Sequence, residues 1–475
     1  MVSMKQPGDP ERTGLIWFRN SLRLEDNTAV YHALCENEAV ACLFVLDDTY
    51  LRGPEIGAAR AAFLRDSLVE LSAEIASHGG QLILRLAKDV PAEVVTVAKE
   101  VGAGRIYINE DYLPYPIRRD ARVQSLAQAE GIELRSYRDS LLVDPRRVLT
   151  EKETPYTVFT PFKRRWENLL ETPERYAVET RLPAMKRARR IAGAELPELS
   201  HWGLILRQQI EPGGAKRAQA RLTEFVTEGL PNYHQNRDFC ADPNSTSRLS
   251  MHIKWGTLSL RDCYRAARAA GGPGADKWID ELTWREFYHA VVFYFPHVLE
   301  GPMLREYANF PWSENREHLE AWKAGETGYP FVDAGMRQLN TTGWMHNRLR
   351  QVVASYLCKD LAIHWQEGER YFMQMLVDGD WPSNNGGWQW VAGCGTDPRR
   401  ATRIFNPALQ QERYDPRADY IRQWIPEYGR QRYPDPIVLH EQGRAQYLER
   451  FRKARSEGAA GPASDGKGGQ LGLLL

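Results

Sequence analysis

The sequence has no abundance of any kind that would announce a partner. Lys plus Arg number 62 and Asp plus Glu 62, a formal net charge of +0 over 475 residues. No bulk surplus of positive charge exists, so affinity for a phosphate backbone has to come from a local patch. Composition neither supports nor excludes a nucleic acid. The 6 cysteines, Cys35, Cys42, Cys240, Cys263, Cys358 and Cys394, include no C-x-x-C pair. They lack the clustering that a zinc or iron–sulfur site needs, so no metal site is in view and they read as reduced core thiols. No uncharged apolar run is long enough to cross a membrane, and the opening MVSMKQPGDPERTG holds no apolar signal-peptide core, which makes a cytoplasmic protein the expectation. No G-x-G-x-x-G follows the first strand candidate, where FRNSLR stands, so the nicotinamide-dinucleotide fingerprint is missing.

What is present is rhythm. From Leu15 to about Tyr137, the strand candidates LIWF (15–18), AVACLFVLD (39–47), QLILRLA, RIYINED and ELRSY alternate with the helix candidates NTAVYHALCE, RAAFLRDSLVELSAEIASHGG and PAEVVTVAKEVG. This alternation predicts an α/β domain over 14–140, a doubly wound parallel sheet covered on both faces. Over 141–213 the rhythm is lost among Pro, Thr and basic residues (TPYTVFTPFKRRW, then ETPERYAVETRLPAMKRARRIAGAELPELS), which predicts a long surface connector. From 214 to 455 the chain reads as a larger all-α domain. From 456 onward, SEGAAGPASDGKGGQLGLLL reads as a disordered tail.

Four stretches of the helical part mix amides, paired Asp, Arg and Trp: NSTSRLS (244–250), WIDELTWREFYH (278–289), GYPFVDAGMRQLNTTGWMHNRLRQ (328–351) and VDGDWPSNNGGWQW (377–390). In the last, glycines let backbone approach a flat partner with no Cβ in the way. The hydroxyls and arginine of NSTSRLS precede a helical segment and suit either a plain N-cap or an anion site able to take a pyrophosphate. Trp278, Glu281, Trp284, Arg285 and Tyr288 recur at helical spacing and share one face. Such a stripe is ordinarily core, and Glu281 with Arg285 is ordinarily an i,i+4 ion pair; charges on an aromatic face still need a reason.

These stretches, in this order, resemble the photolyase/cryptochrome family, as do LIWFRNSLRLEDNTAV, the connector TPYTVFTPFKRRW and DGDWPSNNGGWQWVAGCGTDPRRATRIFNP. The resemblance runs from about residue 14 to 430 and is closest to class I-type cyclobutane pyrimidine dimer photolyases, with some DASH-cryptochrome-like features. It implies FAD, as FADH⁻, folded in a U within the helical domain. Tyr233 and the run Thr246, Ser247, Arg248, Leu249 and Ser250 would hold its phosphates. Trp278, Arg285, Arg350, Asp378 and Asp380 would surround ribose and isoalloxazine, and Asn384 would face flavin N5, where an uncharged amide accepts from the N5–H of reduced flavin. The resemblance further implies light-driven electron transfer to a pyrimidine dimer flipped out of DNA into an apolar pocket. Trp284 and Trp390 would be its walls, Glu281 would hydrogen-bond the dimer, and Asn347, Arg348 and Gln351 would complete it. Trp388, Trp365 and Trp312 match an electron relay to the surface. Arg237, Arg285, Arg348, Lys254, Arg399, Arg400 and Arg403 would meet the DNA backbone.

Two features depart from the pattern. Gln351 stands where dimer photolyases commonly have Met and DASH proteins have Gln, while Trp390 agrees with the photolyases; no His is present at 351 to serve (6-4) repair. Pro116 stands where folate-binding relatives carry Glu, and Tyr115, Arg119 and Asp120 fit a PYxxxRD pattern, so a second antenna chromophore is expected to be deazaflavin or flavin rather than folate. The leading expectation is a monomeric light-dependent carbon–carbon lyase acting on DNA with pyrimidine dimers. The alternatives are a blue-light photoreceptor that uses the same flavin and Trp relay for signalling, DASH-like repair of single-stranded DNA, and a generic flavoprotein redox enzyme.

Overall fold

The computed structural model describes residues 13–170, 185, 186, 188–396, 402–430 and 432–459, with side chains described as far as 454. Strands β1 (Thr13–Phe18), β2 (Ala39–Asp47), β3 (Leu82–Ala87), β4 (Ala103–Asn109) and β5 (Glu133–Tyr137) form one sheet in the order β3-β2-β1-β4-β5, every pair parallel. Between them run α1 (Thr28–Glu36), α2 (Ala58–Ser77), α3 (Val90–Val101) and α4 (Pro114–Ala129). Ile16 and Phe18 share a core with Val30 of α1 and Phe63 of α2, while Leu15 and Trp17 share another with Val94 of α3 and Val123 of α4. Burial on both faces is why the central strands β1 and β2 read as apolar runs, whereas the edge strand β5, ELRSY, has no buried residue. The strand order reverses between β1 and β4, so the loops after both open on one crevice at the carboxyl ends of the strands.

The connector carries a helix, α5 (Phe159–Leu169), formed by the very segment TPYTVFTPFKRRW. Phe162 and Trp166, four apart and so on one face, are both buried. Trp166 Nε1 donates to Glu286 Oε2 at 2.6 Å, and Glu286 also accepts the backbone N–H groups of Leu142 and Val143. Farther on, Val40 N–H of β2 donates to Lys186 O of the connector at 2.9 Å, Ala188 N–H donates back to Val40 O at 3.4 Å, and Ala194 N–H donates to Leu84 O of β3 at 2.7 Å.

The rest is helical: α6 (Ala215–Glu224), α7 (Ser250–Trp255), α8 (Leu260–Ala270), α9 (Gly272–Tyr294), α10 (Arg316–Ala324), α11 (Pro330–Thr342), α12 (Asn347–Ser355), α13 (Trp365–Met375), α14 (Trp381–Ala392), α15 (Pro407–Tyr414), α16 (Asp419–Trp424) and α17 (His440–Ala459). One core gathers around α5, α8 and α9, a second around α11 to α14 and α17. They meet where α9 and α14 touch. A Cβ at Gly386 would lie 2.1 Å from the Tyr288 ring, and one at Gly368 would lie 2.1 Å from the Trp388 indole, so glycine at both positions permits this approach.

The α/β part and the helical part are joined by a buried ionic cluster. Arg261 of α8 reaches both carboxylate oxygens of Asp26 and, at 2.7 Å, Asp139 Oδ1, while Arg23 takes Asp139 Oδ2 at 2.8 Å. Burial opposes ionisation of Asp139, but Arg23 and Arg261 hold its pKa well below the usual carboxylate range. Five cysteines are buried free thiols as expected; Cys35 is exposed, a correction to the all-core expectation. Among the described residues no helix is long and apolar enough to cross a membrane. Arg399, Arg400 and the tail beyond Ala459 lie outside the described residues.

Candidate functional site

The residues expected around a cofactor converge from four elements. Asp378, just before α14, accepts from Ser250 Oγ of α7 at 2.6 Å and from Arg350 of α12 at 2.8 Å, both on Oδ2. Asp380 caps α14 through Ser383 and lies 3.3 Å from His289 Nε2. Burial opposes the Asp380 carboxylate, but His289, Arg285 and Lys254 hold its pKa well below the ordinary range; His289, buried beside Arg285, is itself held below its ordinary value. Tyr233 and Trp278 both pack edge-on against Phe225. Arg221 of α6 donates to the carbonyls of Ser247 and Thr246 at 2.9 and 3.0 Å, fixing the turn in which Arg248 has φ 52° and lies 4.8 Å over the Trp344 ring. Leu249 is fully buried beneath that turn. Asn384 donates to the Glu369 carbonyl at 3.1 Å, and Asn385 to the Glu369 carboxyl at 2.8 Å; burial pushes that carboxyl up to about 7.

This cluster is incomplete without a ligand. Asp378 Oδ1 and Arg248 Nε are buried and have no hydrogen-bond partner among the described residues, whereas buried polar groups are ordinarily satisfied. A Cβ at Gly387, inside α14, would meet nothing within 4 Å, so open space borders this helix. An acceptor oxygen, an arginine N–H and open space beside a glycine fit the hydroxyls, phosphates and ring of a flavin nucleotide.

A second group assembles beside the first. Glu281 of α9 is paired with Arg237 and, at 3.7 Å, with Lys277. Asp238, next in sequence to Arg237, pairs with Arg348 of α12 at 2.9 Å, and Arg348 also donates to Gln351 Oε1 at 3.0 Å and stacks over Tyr414. The 237–238 turn thus bridges Glu281 to Arg348 and Gln351. Trp284 is stacked on Phe159 of α5, centroids 3.7 Å apart and planes 5° from parallel. Asn347 is the exposed first residue of α12, and Trp390 is half-buried on α14. Of the expected tryptophan series, Trp388 and Trp365 are buried and Trp312 is half-buried.

Some expectations change. The i,i+4 pair of Glu281 with Arg285 is not the pairing that forms: Arg285 turns the other way, donating to Ser140 O at 3.1 Å. Four helical residues advance the direction by about 40°, enough to aim Arg285 at the α/β part. Arg285 and Lys254 line a polar cavity with Asn20, Asp111, His289 and Asp380. Arg403 is exposed over Phe405. Sequence reasoning missed Arg221, His289, Glu286, Phe159 and Arg60, a fully buried arginine of α2 that donates to the carbonyls of Met373 and Gly379 and so braces the loop bearing Asp378. Only an arginine in a helix otherwise apolar along its core face hinted at Arg60.

At the carboxyl ends of the strands, Tyr115 donates to Asp47 at 2.6 Å, Asp120 pairs with Arg19 and Arg119, and Arg119 lies 4.8 Å over the Trp17 ring. Pro116 is buried in the first turn of α4.

Comparison with known proteins gives the family and the fold. Residues 14–184 match the DNA photolyase family and residues 278–431 the FAD binding domain of DNA photolyase. A deoxyribodipyrimidine photo-lyase of Synechococcus is 38% identical over 474 residues, covering 93% of this chain and 97% of that protein. The bacterial class III photolyase from Agrobacterium tumefaciens superposes with a TM-score of 0.85 at 32% identity, over 96% of this chain and 100% of that one. The archaeal photolyase from Sulfolobus tokodaii, whose structure contains two FAD molecules, superposes with a TM-score of 0.76 at 31% identity, over 93% and 100%.

Proposed function

The chain belongs to the photolyase/cryptochrome family, and on that premise we propose how its own residues carry out light-dependent repair of pyrimidine dimers in DNA. Bound FAD, in its reduced form, would supply the light-driven one-electron chemistry that opens the cyclobutane ring. The chain divides into an α/β domain over 14–140, a connector over 141–213 and an all-α domain over 214–455, and the protein works as a cytoplasmic monomer.

The chain's residues do the rest. Asp378, steadied by Ser250, Arg350 and the Arg60 brace, presents its free oxygen to the nucleotide's hydroxyls; Arg248 and the 246–250 turn receive phosphate at the start of α7. Tyr233 and Trp278 wall the same seat, and Arg285 and Asp380 close it from the α/β side. The Asn384 side chain, anchored through the Glu369 carbonyl, keeps its oxygen for the N5–H of reduced flavin while offering no acidic proton, so the reduced state is favoured.

The observation that carries the reading is the continuous run from Glu281 through Arg237 and Asp238 to Arg348 and Gln351 beside that seat. A flipped dimer takes the place of Arg237 on Glu281, whose carboxyl then bonds the base edges and steadies the charge that arrives with the electron. Trp284 and Trp390 stack against the dimer. Arg237, once displaced, joins Arg348 and Arg403 at the phosphates, with Arg399 and Arg400 in the neighbouring segment. Trp388, Trp365 and Trp312 conduct an electron inward when the flavin arrives oxidised. Asn20, Asp111 and Lys254 around the polar cavity, near Tyr115, Arg119 and Asp120, support a deazaflavin or flavin antenna at the strand ends.

The test is direct: photoreduced, FAD-loaded protein is illuminated with single- and double-stranded oligonucleotides bearing one thymine dimer. Dimers should disappear in the light and persist in the dark. Persistence of the dimers in both substrates under illumination defeats the reading.

A further inference from the structure

His364 stands immediately before Trp365, and its ring touches both outer members of the tryptophan series: 5.8 Å and 27° from Trp365, 5.3 Å and 57° from Trp312. We propose that His364 decides whether an electron hole can move from Trp388 to the surface: the neutral imidazole lets it pass and the imidazolium stops it. The inference rests on reading Trp388, Trp365 and Trp312 as a relay.

In that relay one electron leaves Trp388 for the photoexcited oxidised flavin, Trp365 gives one electron to Trp388, Trp312 gives one to Trp365, and a thiol in solution gives one to Trp312. An indole short of an electron is positively charged until it loses its N–H proton. Trp312 Nε1 is buried with no hydrogen-bond partner among the described residues, so none of them is placed to receive that proton and the hole remains charged. A positive charge on His364 therefore repels a hole on either outer ring. Trp388 packs instead on Trp322 and Phe372, at 6.1 and 5.0 Å, so the imidazolium penalises the outer rings more than the inner one. The hole then stays on Trp388 and recombines.

The surroundings define the resting state. His364 Nδ1 accepts the Gln366 N–H at 3.1 Å as the N-cap of α13, and protonating Nδ1 forfeits that cap. The charged groups acting on the ring are Glu367 and Arg370 of α13, which pair at 2.6 Å, with Arg316 of α10 lying 3.8 Å from Glu367; the packed segment 310–313 brings Phe310, Pro311, Trp312 and Ser313, none of them charged. Burial, then Arg370, lowers the imidazole's pKa, with Glu367 opposing. The ring is neutral at neutral pH, and the block lies on the acid side of the ordinary histidine range.

The experiment follows the yield of long-lived tryptophan radical after a light flash on the FAD-loaded full chain with a thiol present, against pH, for wild type, His364→Asn, His364→Asp and Trp312→Phe. Asn and Asp both keep an N-cap acceptor. In parallel, the His364 ring is titrated by NMR in the ligand-free protein, its resonance identified by its loss in His364→Asn. The wild-type yield should fall in step with that titration, by about tenfold once the ring is protonated. His364→Asn should be independent of pH, and His364→Asp should stay at or above the neutral wild-type yield. Identical pH profiles for wild type and His364→Asn overturn the gate while leaving the relay standing. An unchanged radical yield in Trp312→Phe overturns the relay and the gate with it.

Discussion

Two buried ionic clusters are built into the helical part, and they are finished to different degrees. In the interdomain cluster, Asp139 uses both oxygens, on Arg23 and Arg261 with Thr28 adding to Oδ1, and Asp26 gives both of its own to Arg261; only Arg23 Nε lacks a partner. In the cluster between α7, α12 and α14, Asp378 uses one oxygen and leaves the other without a partner among the described residues, and Arg248 Nε has none there either. A scaffold satisfies its own buried charges, whereas a binding site keeps some in reserve for the molecule it receives. The contrast separates what holds the domains together from what holds the cofactor.

Substitutions at each cluster should break different properties. The largest effect is expected from Arg261→Met, which leaves Asp26 and Asp139 buried without their main partner; urea unfolding should show a loss of about 3–5 kcal/mol, with FAD bound per folded molecule unchanged. A loss below about 1 kcal/mol would mean the interdomain cluster is not what joins the two parts. Asp378→Ala should do the reverse: flavin fluorescence titration should show affinity for FAD weakened by roughly 10–100-fold, the worth of a charged hydrogen bond, while stability of the ligand-free chain moves by less than about 1 kcal/mol.

Acid sharpens the contrast further. Asp139 has a depressed folded pKa, so its contribution is fully present above the ordinary Asp value of about 4 and is lost as pH falls below it toward the folded value. The stability gap between wild type and Asp139→Asn should therefore shrink as pH drops below about 4, on the order of 1–3 kcal/mol in all; a constant gap would contradict the paired state. The smallest effect is expected outside both clusters. Arg403→Ala should lower the salt dependence of DNA binding by about one phosphate contact and leave preference for dimer over intact DNA as it was.

The sheet was legible because burial on both faces turns strands into apolar runs and the intervening helices into amphipathic ones. The cofactor seat was legible only through motif resemblance: Ser250, Arg350 and Asp378 are far apart in sequence, and spacing alone never brings them together. What stayed hidden depends on long-range direction. Glu281 and Arg285 look like partners on a helical wheel, yet the turn carrying Arg237 competes for Glu281 and the α/β part draws Arg285 away. Helix α5 was hidden inside a segment whose prolines and basic residues read as connector, although Phe162 and Trp166 at i,i+4 carried its signal. His364 sits beside Trp365 in sequence, but nothing in the sequence says that its ring also reaches Trp312.

The central claim is that one seat has a flavin face, marked by Asp378 and Asn384, and a lesion face, marked by Glu281 and Trp284. The most direct measurement takes dimer repair per absorbed photon and flavin photoreduction per absorbed photon from the same samples of wild type and Glu281→Gln. The account predicts a clear fall in repair for Glu281→Gln with photoreduction unchanged. Repair equal to wild type, or a parallel fall in both quantities, would contradict it.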